Sequence, residues 1–158
     1  MARRYWLMKS EPETFSIQDL QRAPSQTTSW DGVRNYQARN LLRDEMTVGD
    51  GVLFYHSSAD PPAAVGTAAI ARAGYPDPTQ FDARSSHFDP DARPDEPRWY
   101  MVDVKLESIF KRAVGLPELR QQPALAEMVL LRKGSRLSVQ PVTAKEWNAI
   151  LKLGATAK

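Results

Sequence analysis

The sequence predicts an α+β fold in which one strongly bent or barrel-like sheet has short helices filling its gaps. The predicted elements run strand, helix, mostly strands and then a closing helix. That order differs from the regular βαβ alternation of doubly wound folds. At 158 residues the chain has the length of one domain and contains no internal repeat. We therefore expect residues 1–158 to form a single domain.

The first strand and the first helix are predicted from the segment before residue 23. Residues 4–9 are rich in aromatic and apolar side chains, which is typical of a strand. Ser16 and Asp19 match the capping-box pattern, in which the side chain of each residue bonds to the backbone of the other at a helix start. The polar residues 23–29 are expected to form a loop.

The middle of the chain predicts one helix, two strands and a long loop. Residues 35–45 contain good helix formers and no helix breaker. Residues 52–56 and 64–73 are mostly apolar and predict strands, with Gly66 at a bulge or a close backbone approach. Residues 74–97 are rich in proline and aspartate and lack helical periodicity, so we expect a long surface loop.

The last third returns to strands and ends in a helix. Residues 99–110 alternate in a way that predicts a strand, and short helical turns are expected within 116–128. Residues 136–141 predict the last strand. Residues 143–146 form a second capping box, and the helix that it opens is expected to end at Gly154.

The composition excludes several classes of site. The absence of cysteine excludes disulfides, thiolate metal sites and cysteine nucleophiles, and His56 and His87 are the only histidines. The net charge of +2 and the pI near 9.0 permit a nucleic-acid partner without requiring one. No apolar run approaches the ~20 residues that span a bilayer. We expect a cytoplasmic protein with no metal, no cofactor and no membrane partner.

Common enzyme motifs are also missing from the sequence. It contains no phosphate-binding loop, no dinucleotide-binding glycine motif and no nucleophile elbow. His56 and Ser57 are neighbours, but neighbouring residues of a strand point to opposite faces and do not form a nucleophile–base pair. The sequence therefore predicts no catalytic residue.

Trp30 lies at the end of a polar loop, directly before Asp31 and Gly32. Core packing is the more common role for a tryptophan. The alternative is a cleft wall, because unpaired bases stack on aromatic rings with about 1–3 kcal/mol per base. An acidic side chain such as Glu11 or Asp31 could then accept a hydrogen bond from the exocyclic amino group of cytosine. The residues alone leave both interpretations open.

Several motifs, taken together and in order, resemble those of the EVE domain family. They are YWLMKSEPE at 5–13, WDGVRNYQAR at 30–39, GDGVLFYHS at 49–57, YPDPTQFD at 75–82, WYMVDV at 99–104 and RLSVQP at 136–141. The resemblance covers residues 4 to about 152. It implies the fold of the PUA-like superfamily, an open or strongly bent barrel of about five to six strands with flanking short helices and a C-terminal helix.

The resemblance also implies a function, which is the binding of a modified base in DNA or RNA, a modified cytosine or a related base. It implies no catalysis and no cofactor. An aromatic-lined pocket is implied by similarity to YTH domains, which hold a methylated adenine in an aromatic cage. The family has bacterial members, and we expect this protein to be monomeric.

The motifs assign site residues by position. The implied pocket residues are Lys9, Ser10, Glu11, Trp30, Asp31, Gly32, Val33, Arg34, Asn35, Tyr55, His56, Ser57, Arg136 and Ser138. Of these, Trp30 would stack on the base and residues 31–33 would present polar and backbone groups to its edge. Candidates for phosphate contact are Arg39, Arg43, Arg132 and Lys133.

Two other functions stay open. PUA-like relatives of the ASCH kind include hydrolases, and Lys9 with Glu11 could support amide hydrolysis. The pocket could also hold a small effector or a peptide side chain in a protein-interaction module. Two departures from the family pattern bear on the choice of modification. Ser58 stands where an asparagine-like residue is more usual, and residues 87–92 lack the usual lysine-serine ending of their loop.

Overall fold

A computed structural model describes residues 3–133 and 137–155. Within these residues, six strands form one open mixed sheet in the order β2-β5-β4-β3-β1-β6. The strands are β1 (Tyr5–Ser10), β2 (Thr27–Ser29), β3 (Gly51–His56), β4 (Ala63–Pro76), β5 (Tyr100–Gly115) and β6 (Val139–Val142). β1 and β3 pair in parallel, and the other neighbours are antiparallel. The predicted α+β class with a bent, open sheet is confirmed.

The helices are short except for the last one. They are α1 (Ile17–Arg22), α2 (Tyr36–Asn40), α3 (Leu116–Arg120) and α4 (Ala144–Ala155). A π-helical turn (Leu41–Glu45) continues α2. Single 3-10 turns occur at Pro24–Gln26, Pro78–Phe81, Pro123–Leu125 and Val129–Leu131. No helix within the described ranges is long and apolar enough to cross a bilayer.

The sheet bends mainly in the long β4–β5 pair. Its register shifts at four places, between Ala64 and Gly66 and at three points farther along the pair. Each extra residue bends its strand and increases the local twist. Gly66 lies at one of these shifts, and a Cβ atom there would overlap Ile17 and the carbonyl oxygen of Ser108. The prediction of a bulge or close approach at Gly66 is therefore confirmed.

Two apolar layers cover the two faces of the sheet. Along β1 the side chains alternate, with Trp6 and Met8 in one layer and Leu7 in the other. Residues of α1 and α2 join the first layer, while α3 and α4 contribute Leu119 and Trp147 to the second. All of these side chains are buried. The ends of β1 and β3 are thus held between two packed layers.

Both predicted capping boxes are present. The Ser16 N–H donates to Asp19 Oδ2 at 2.8 Å, and the Asp19 N–H donates to Ser16 Oγ at 3.1 Å. At α4 the equivalent bonds between Thr143 and Glu146 measure 3.0 and 3.1 Å. The predicted end at Gly154 is wrong by one residue, because α4 continues to Ala155. Gly154 is needed for packing instead, since the Phe110 ring leaves no room for a Cβ atom.

Several predicted boundaries were wrong, and for residues 23–29 and 74–76 the reason is that pairing with a distant strand overrides local preference. Residues 23–29 are not only a loop, since Thr27–Ser29 pair with β5 as an edge strand. The predicted helix over 35–45 starts one residue later and changes to π geometry at Leu41. The predicted loop 74–97 begins inside β4 and contains the turn Pro78–Phe81.

Candidate functional site

A cleft of about 570 Å³, called here the first cleft, opens beyond the end of β1. Its walls come from the end of β1 and the residues that follow it, from β2 and the segment between β2 and α2, and from two more distant positions, His87 and Ser138. The lining residues are Lys9, Ser10, Glu11, Thr14, Phe15, Thr28, Ser29, Trp30, Asp31, Gly32, Val33, Arg34, His87 and Ser138. The volume lies within the range of about 300–1,000 Å³ that small-molecule sites occupy.

Trp30 belongs to both the core and the cleft wall. Its side chain is 9% exposed and packs edge-on against Phe54, with ring centroids 5.4 Å apart. Its backbone N–H donates to the Val102 carbonyl at 2.8 Å, which extends the hydrogen bonding of β2 with β5. The indole is therefore fixed by packing on one side and borders the cleft on another.

Asp77 holds the segment that follows Trp30. Its buried carboxylate accepts hydrogen bonds through Oδ2 from the Gly32 N–H at 2.8 Å and from Arg34 Nη1 at 3.1 Å. Through Oδ1 it accepts from the N–H and the hydroxyl of Thr79, at 2.8 and 2.6 Å. Burial opposes ionisation, but the bonds from Thr79, Gly32 and Arg34 together hold the pKa of Asp77 below its usual value.

Arg34 links the cleft wall to the loop that crosses it. Its guanidinium donates to the His87 carbonyl through Nε at 3.0 Å and Nη2 at 2.7 Å. Further bonds reach Thr79 Oγ1 and the Val33 carbonyl, each at 3.0 Å. The group also lies 5.4 Å from the ring centroid of Trp99. Arg34 therefore lines the cleft with a side chain that is already committed to structural contacts.

His87 packs directly over Gly32. Gly32 has a φ of +80°, a conformation that residues with a side chain rarely adopt. A Cβ atom at this position would lie 2.6 Å from His87 Nε2. Glycine is required here both by the backbone conformation and by the close approach of the imidazole.

The end of β1 is also fixed by backbone contacts. The Lys9 N–H donates to the Ser138 carbonyl at 2.8 Å, and the Ser10 carbonyl accepts from the Ser57 N–H at 3.0 Å. The Ser10 hydroxyl donates to the Phe15 carbonyl at 2.5 Å. Partial burial lowers the pKa of the Lys9 ammonium.

Two carboxylates are left at the surface of the first cleft. The side chains of Glu11 and Asp31 are exposed. Within the described part of the chain, neither takes part in an ion pair or a side-chain hydrogen bond. Both are therefore available to accept hydrogen bonds from a ligand.

Asn35 and His56 do not line the first cleft, contrary to the motif-based assignment. The Asn35 side chain caps α2 by accepting from the Ala38 N–H at 3.0 Å. Nε2 of His56 accepts from the Ile17 N–H at 3.1 Å, so this nitrogen carries no proton. Burial lowers the pKa of His56, which favours the same neutral form. Arg136, also predicted for the pocket, lies outside the described residues.

Tyr55 and Ser57 lie in a different cleft. This second cleft has a volume of about 500 Å³. It is lined by Lys9, Tyr55, Ser57, Ser58, Pro62, Leu116, Arg120, Leu130, Leu131, Arg132 and Lys133. Side chains alternate along β3, so Tyr55 and Ser57 face this side while His56 faces α1. Lys9 is common to the two clefts.

The four candidates for phosphate contact separate into two pairs. Arg132 and Lys133 line the second cleft. Arg39 donates to the Arg98 carbonyl at 2.8 Å, and Arg43 forms two 2.8 Å bonds to Asp44. Arg39 and Arg43 are thus engaged in structural contacts on a part of the surface that borders neither cleft.

The sequence profile of the EVE domain matches residues 4–153, almost the whole chain. The protein belongs to the EVE domain family. Human thymocyte nuclear protein 1 is 44% identical to it over 166 residues, which cover 94% of this chain and 73% of the human protein.

Solved EVE domain structures are similar over nearly the full chain. A protein from Pseudomonas syringae superimposes with a TM-score of 0.89 at 51% identity and covers 94% of this chain and 98% of its own. The human THYN1 protein, solved in complex with DNA containing 5-methylcytosine, gives a TM-score of 0.90 at 43% identity. That match covers 97% of this chain and 98% of the human chain.

Sequence reasoning missed several residues that line the first cleft or, like Asp77, hold its wall in place. Asp77 and His87 both come from the segment predicted as a loop, and Phe15 and Thr28 come from segments assigned no role. The Asp-Pro-Thr sequence at 77–79 was the available signal, because aspartate before proline is a common cap of a helical turn. Its bonds to Gly32 and Arg34 span more than forty positions and leave no local pattern.

Proposed function

We propose that this EVE domain binds a modified cytosine of DNA in its first cleft, without catalysing a reaction. The observation that carries the proposal is the combination in one cleft of a fixed tryptophan and two unpaired carboxylates. The complex of the human THYN1 protein with DNA containing 5-methylcytosine supports the choice of base. The cleft volume of about 570 Å³ suits a single base with part of its sugar.

In this proposal Trp30 stacks on the base, and Phe15 and His87 complete an aromatic lining. Stacking on an aromatic side chain contributes about 1–3 kcal/mol per base. Packing against Phe54 holds the indole in place before the base arrives, so little side-chain entropy is lost on binding.

Glu11 or Asp31 accepts a hydrogen bond from the exocyclic amino group of cytosine, a pairing that suits a carboxylate. Gly32 contributes space, because its N–H already donates to Asp77. Ser10, Val33 and Ser138 complete the lining with backbone and hydroxyl groups.

The absence of catalysis is supported by the state of His56. Its Nε2 accepts from the Ile17 N–H, so the imidazole cannot also activate Ser57. Lys9 and Glu11, the pair considered for amide hydrolysis, both border the first cleft at the end of β1. Incubation with modified nucleosides and mass spectrometry is expected to give no product. Conversion of any of them would contradict a purely binding role.

The binding test is a titration with DNA oligonucleotides that differ only in cytosine or 5-methylcytosine, with a matched RNA pair alongside. Trp30→Ala is expected to weaken binding of methylated DNA by about 5- to 150-fold, which corresponds to the loss of about 1–3 kcal/mol of stacking. Trp30→Phe keeps a ring and is expected to lose less. Circular dichroism checks that each variant is folded at the temperature of the titration.

Equal affinity of Trp30→Ala and the native protein for methylated DNA would contradict the pocket assignment. Preference for the RNA pair would replace DNA by RNA as the target. The single domain over residues 1–158, the monomeric state, the cytoplasmic location and the absence of a cofactor stay predictions.

A further inference from the structure

The second cleft concentrates positive charge in a nearly neutral protein. The whole chain has 21 Lys and Arg against 19 Asp and Glu. Four of these cations, Lys9, Arg120, Arg132 and Lys133, line the second cleft, and none of its described lining residues is acidic. Such a local excess of one sign in a concave surface attracts an oppositely charged ligand.

These four cations are not neutralised by neighbouring carboxylates. The ion pairs found among residues 3–133 and 137–155 do not include any of them. The nearest acidic residue along α3, Glu118, forms a two-point pair with Arg112 at 2.6 Å. Among the residues that the structure describes, Arg132 donates to a backbone carbonyl, that of Glu127 at 3.2 Å, and to no carboxylate. The second cleft therefore has donors available for an anion.

The hydroxyl groups of the second cleft add to this donor set. Tyr55, Ser57 and Ser58 line it from the end of β3, while Leu130 and Leu131 supply apolar surface. A phosphate group accepts several hydrogen bonds at once, and Arg, Lys, Ser and Tyr are the side chains that supply them in nucleic-acid complexes. The mixture suits a tetrahedral anion whose neighbouring sugar packs its C–H groups on the leucines.

Lys9 connects the two clefts. It is the last residue but one of β1 and borders both of them. β1 and β3 are parallel, with Lys9 beside Tyr55 and Ser10 beside His56, so the two clefts both open where these neighbouring strands end. Lys9 has no carboxylate partner among the described residues, and partial burial lowers the pKa of its ammonium. A bound anion would stabilise the charged form of this ammonium and offset the effect of burial.

We propose that the second cleft binds a backbone phosphate of the DNA strand whose modified base occupies the first cleft. Lys9, between the two clefts, contacts the nucleotide that joins them. This inference rests on the proposed function and adds to it the path of the strand. It also separates the two tasks, because the first cleft selects the base while the second supplies affinity that does not depend on sequence.

The test compares two double variants of equal charge. Arg120→Gln with Lys133→Gln removes two cations from the second cleft. Lys111→Gln with Lys145→Gln removes two exposed lysines that border neither cleft. Each protein is titrated with a single-stranded oligonucleotide containing one 5-methylcytosine, with the free nucleoside 5-methyl-2′-deoxycytidine, and with oligonucleotides whose linkages near the methylated base are replaced singly by neutral methylphosphonate.

The second-cleft variant is expected to lose at least about tenfold in affinity for the oligonucleotide, since a hydrogen bond to a charged group is worth about one factor of ten or more. Its slope of log affinity against log salt should fall by about one for each phosphate contact that is lost. Its affinity for the nucleoside should equal that of the native protein. One methylphosphonate position should weaken binding to the native protein and have a smaller effect on this variant, which keeps only Lys9 and Arg132 of the four cations.

Two results would overturn the inference. One is a loss of affinity and salt slope no greater than that of the Lys111 and Lys145 control. The other is a methylphosphonate effect that is the same in the native protein and in the second-cleft variant. Failure of the proposed function looks different. In that case the native protein would not bind the nucleoside and would not distinguish methylated from unmethylated DNA. The second-cleft variant would still bind methylated DNA and unmethylated DNA more weakly than the native protein does.

Discussion

Asp77→Asn tests whether one buried carboxylate holds the wall of the first cleft. The substitution keeps the shape of the side chain and removes its charge. In the native protein Oδ1 accepts two hydrogen bonds from Thr79, and Oδ2 accepts from the Gly32 N–H and from Arg34. Asparagine has one acceptor and one NH2 group. Whichever way the amide is turned, its NH2 group faces one of these two pairs of donors, and that pair loses its acceptor.

The expected loss follows from these contacts. Removing one partner of a buried ion pair costs about 3–5 kcal/mol. Arg34 remains 22% exposed and keeps its bonds to the His87 carbonyl, which reduces the penalty. We therefore expect Asp77→Asn to lower the free energy of unfolding by about 3 kcal/mol, at the low end of that range.

Urea unfolding measures this loss, with Asp95→Asn as the control because Asp95 is exposed in the same segment. A double-mutant cycle with Arg34→Gln should give a coupling free energy of about 1 kcal/mol or more. Affinity for methylated DNA should also fall at temperatures where the variant is folded, since residues 30–34 are no longer fixed. If Asp77→Asn matched Asp95→Asn in both stability and binding, the carboxylate would not be what positions the cleft wall.

Three other predictions concern single positions. Gly32→Ala should lower the free energy of unfolding in urea by at least about 1–2 kcal/mol and weaken DNA binding, because of its positive φ and the His87 contact. If stability and binding were both unchanged, glycine would not be required at this position. Because burial lowers the pKa of His56, its contribution to stability is complete above about pH 6.5 and is lost in more acidic solution, by up to about 1.4 kcal/mol per pH unit. His56→Gln should make the free energy of unfolding depend less on pH between pH 4 and 7. If the variant and the native protein had the same slope, the pH dependence would come from other groups. Ser58→Asn should raise the free energy of unfolding in urea by up to about 1 kcal/mol, because Ser58 has a φ of +54° that asparagine tolerates better, whereas Ser57→Asn should not.

The parts of the fold that depend on local pattern were predictable from the sequence. The two capping boxes, strand β3 and the bulge at Gly66 each follow from residues within a few positions of one another. The parts that depend on pairing were not. β2 has only three residues, and it is a strand because β5 lies beside it. Three residues are too few to show the alternation that predicts a strand.

The site shows the same division. The motifs at 9–11 and 30–34 do meet in one cleft. The motif at 55–57 was assigned to that cleft as a unit, but a strand sends alternate side chains to opposite faces, so Tyr55 and His56 cannot share a wall. Asp77 was missed because its partners Gly32 and Arg34 are more than forty positions away.

The order of strands in the sheet bears on how the chain acquires its structure during synthesis. β1 is made first, yet its neighbours are β3 and β6, and Tyr5 pairs with Val142. A ribosome releases the amino-terminal part of a chain well before the rest, and pairings between distant segments form slowly. One edge of β1, an apolar strand, must therefore remain uncovered until residues 139–142 emerge. Both clefts open at the end of this strand, so the binding surface is completed only after β6 has been made.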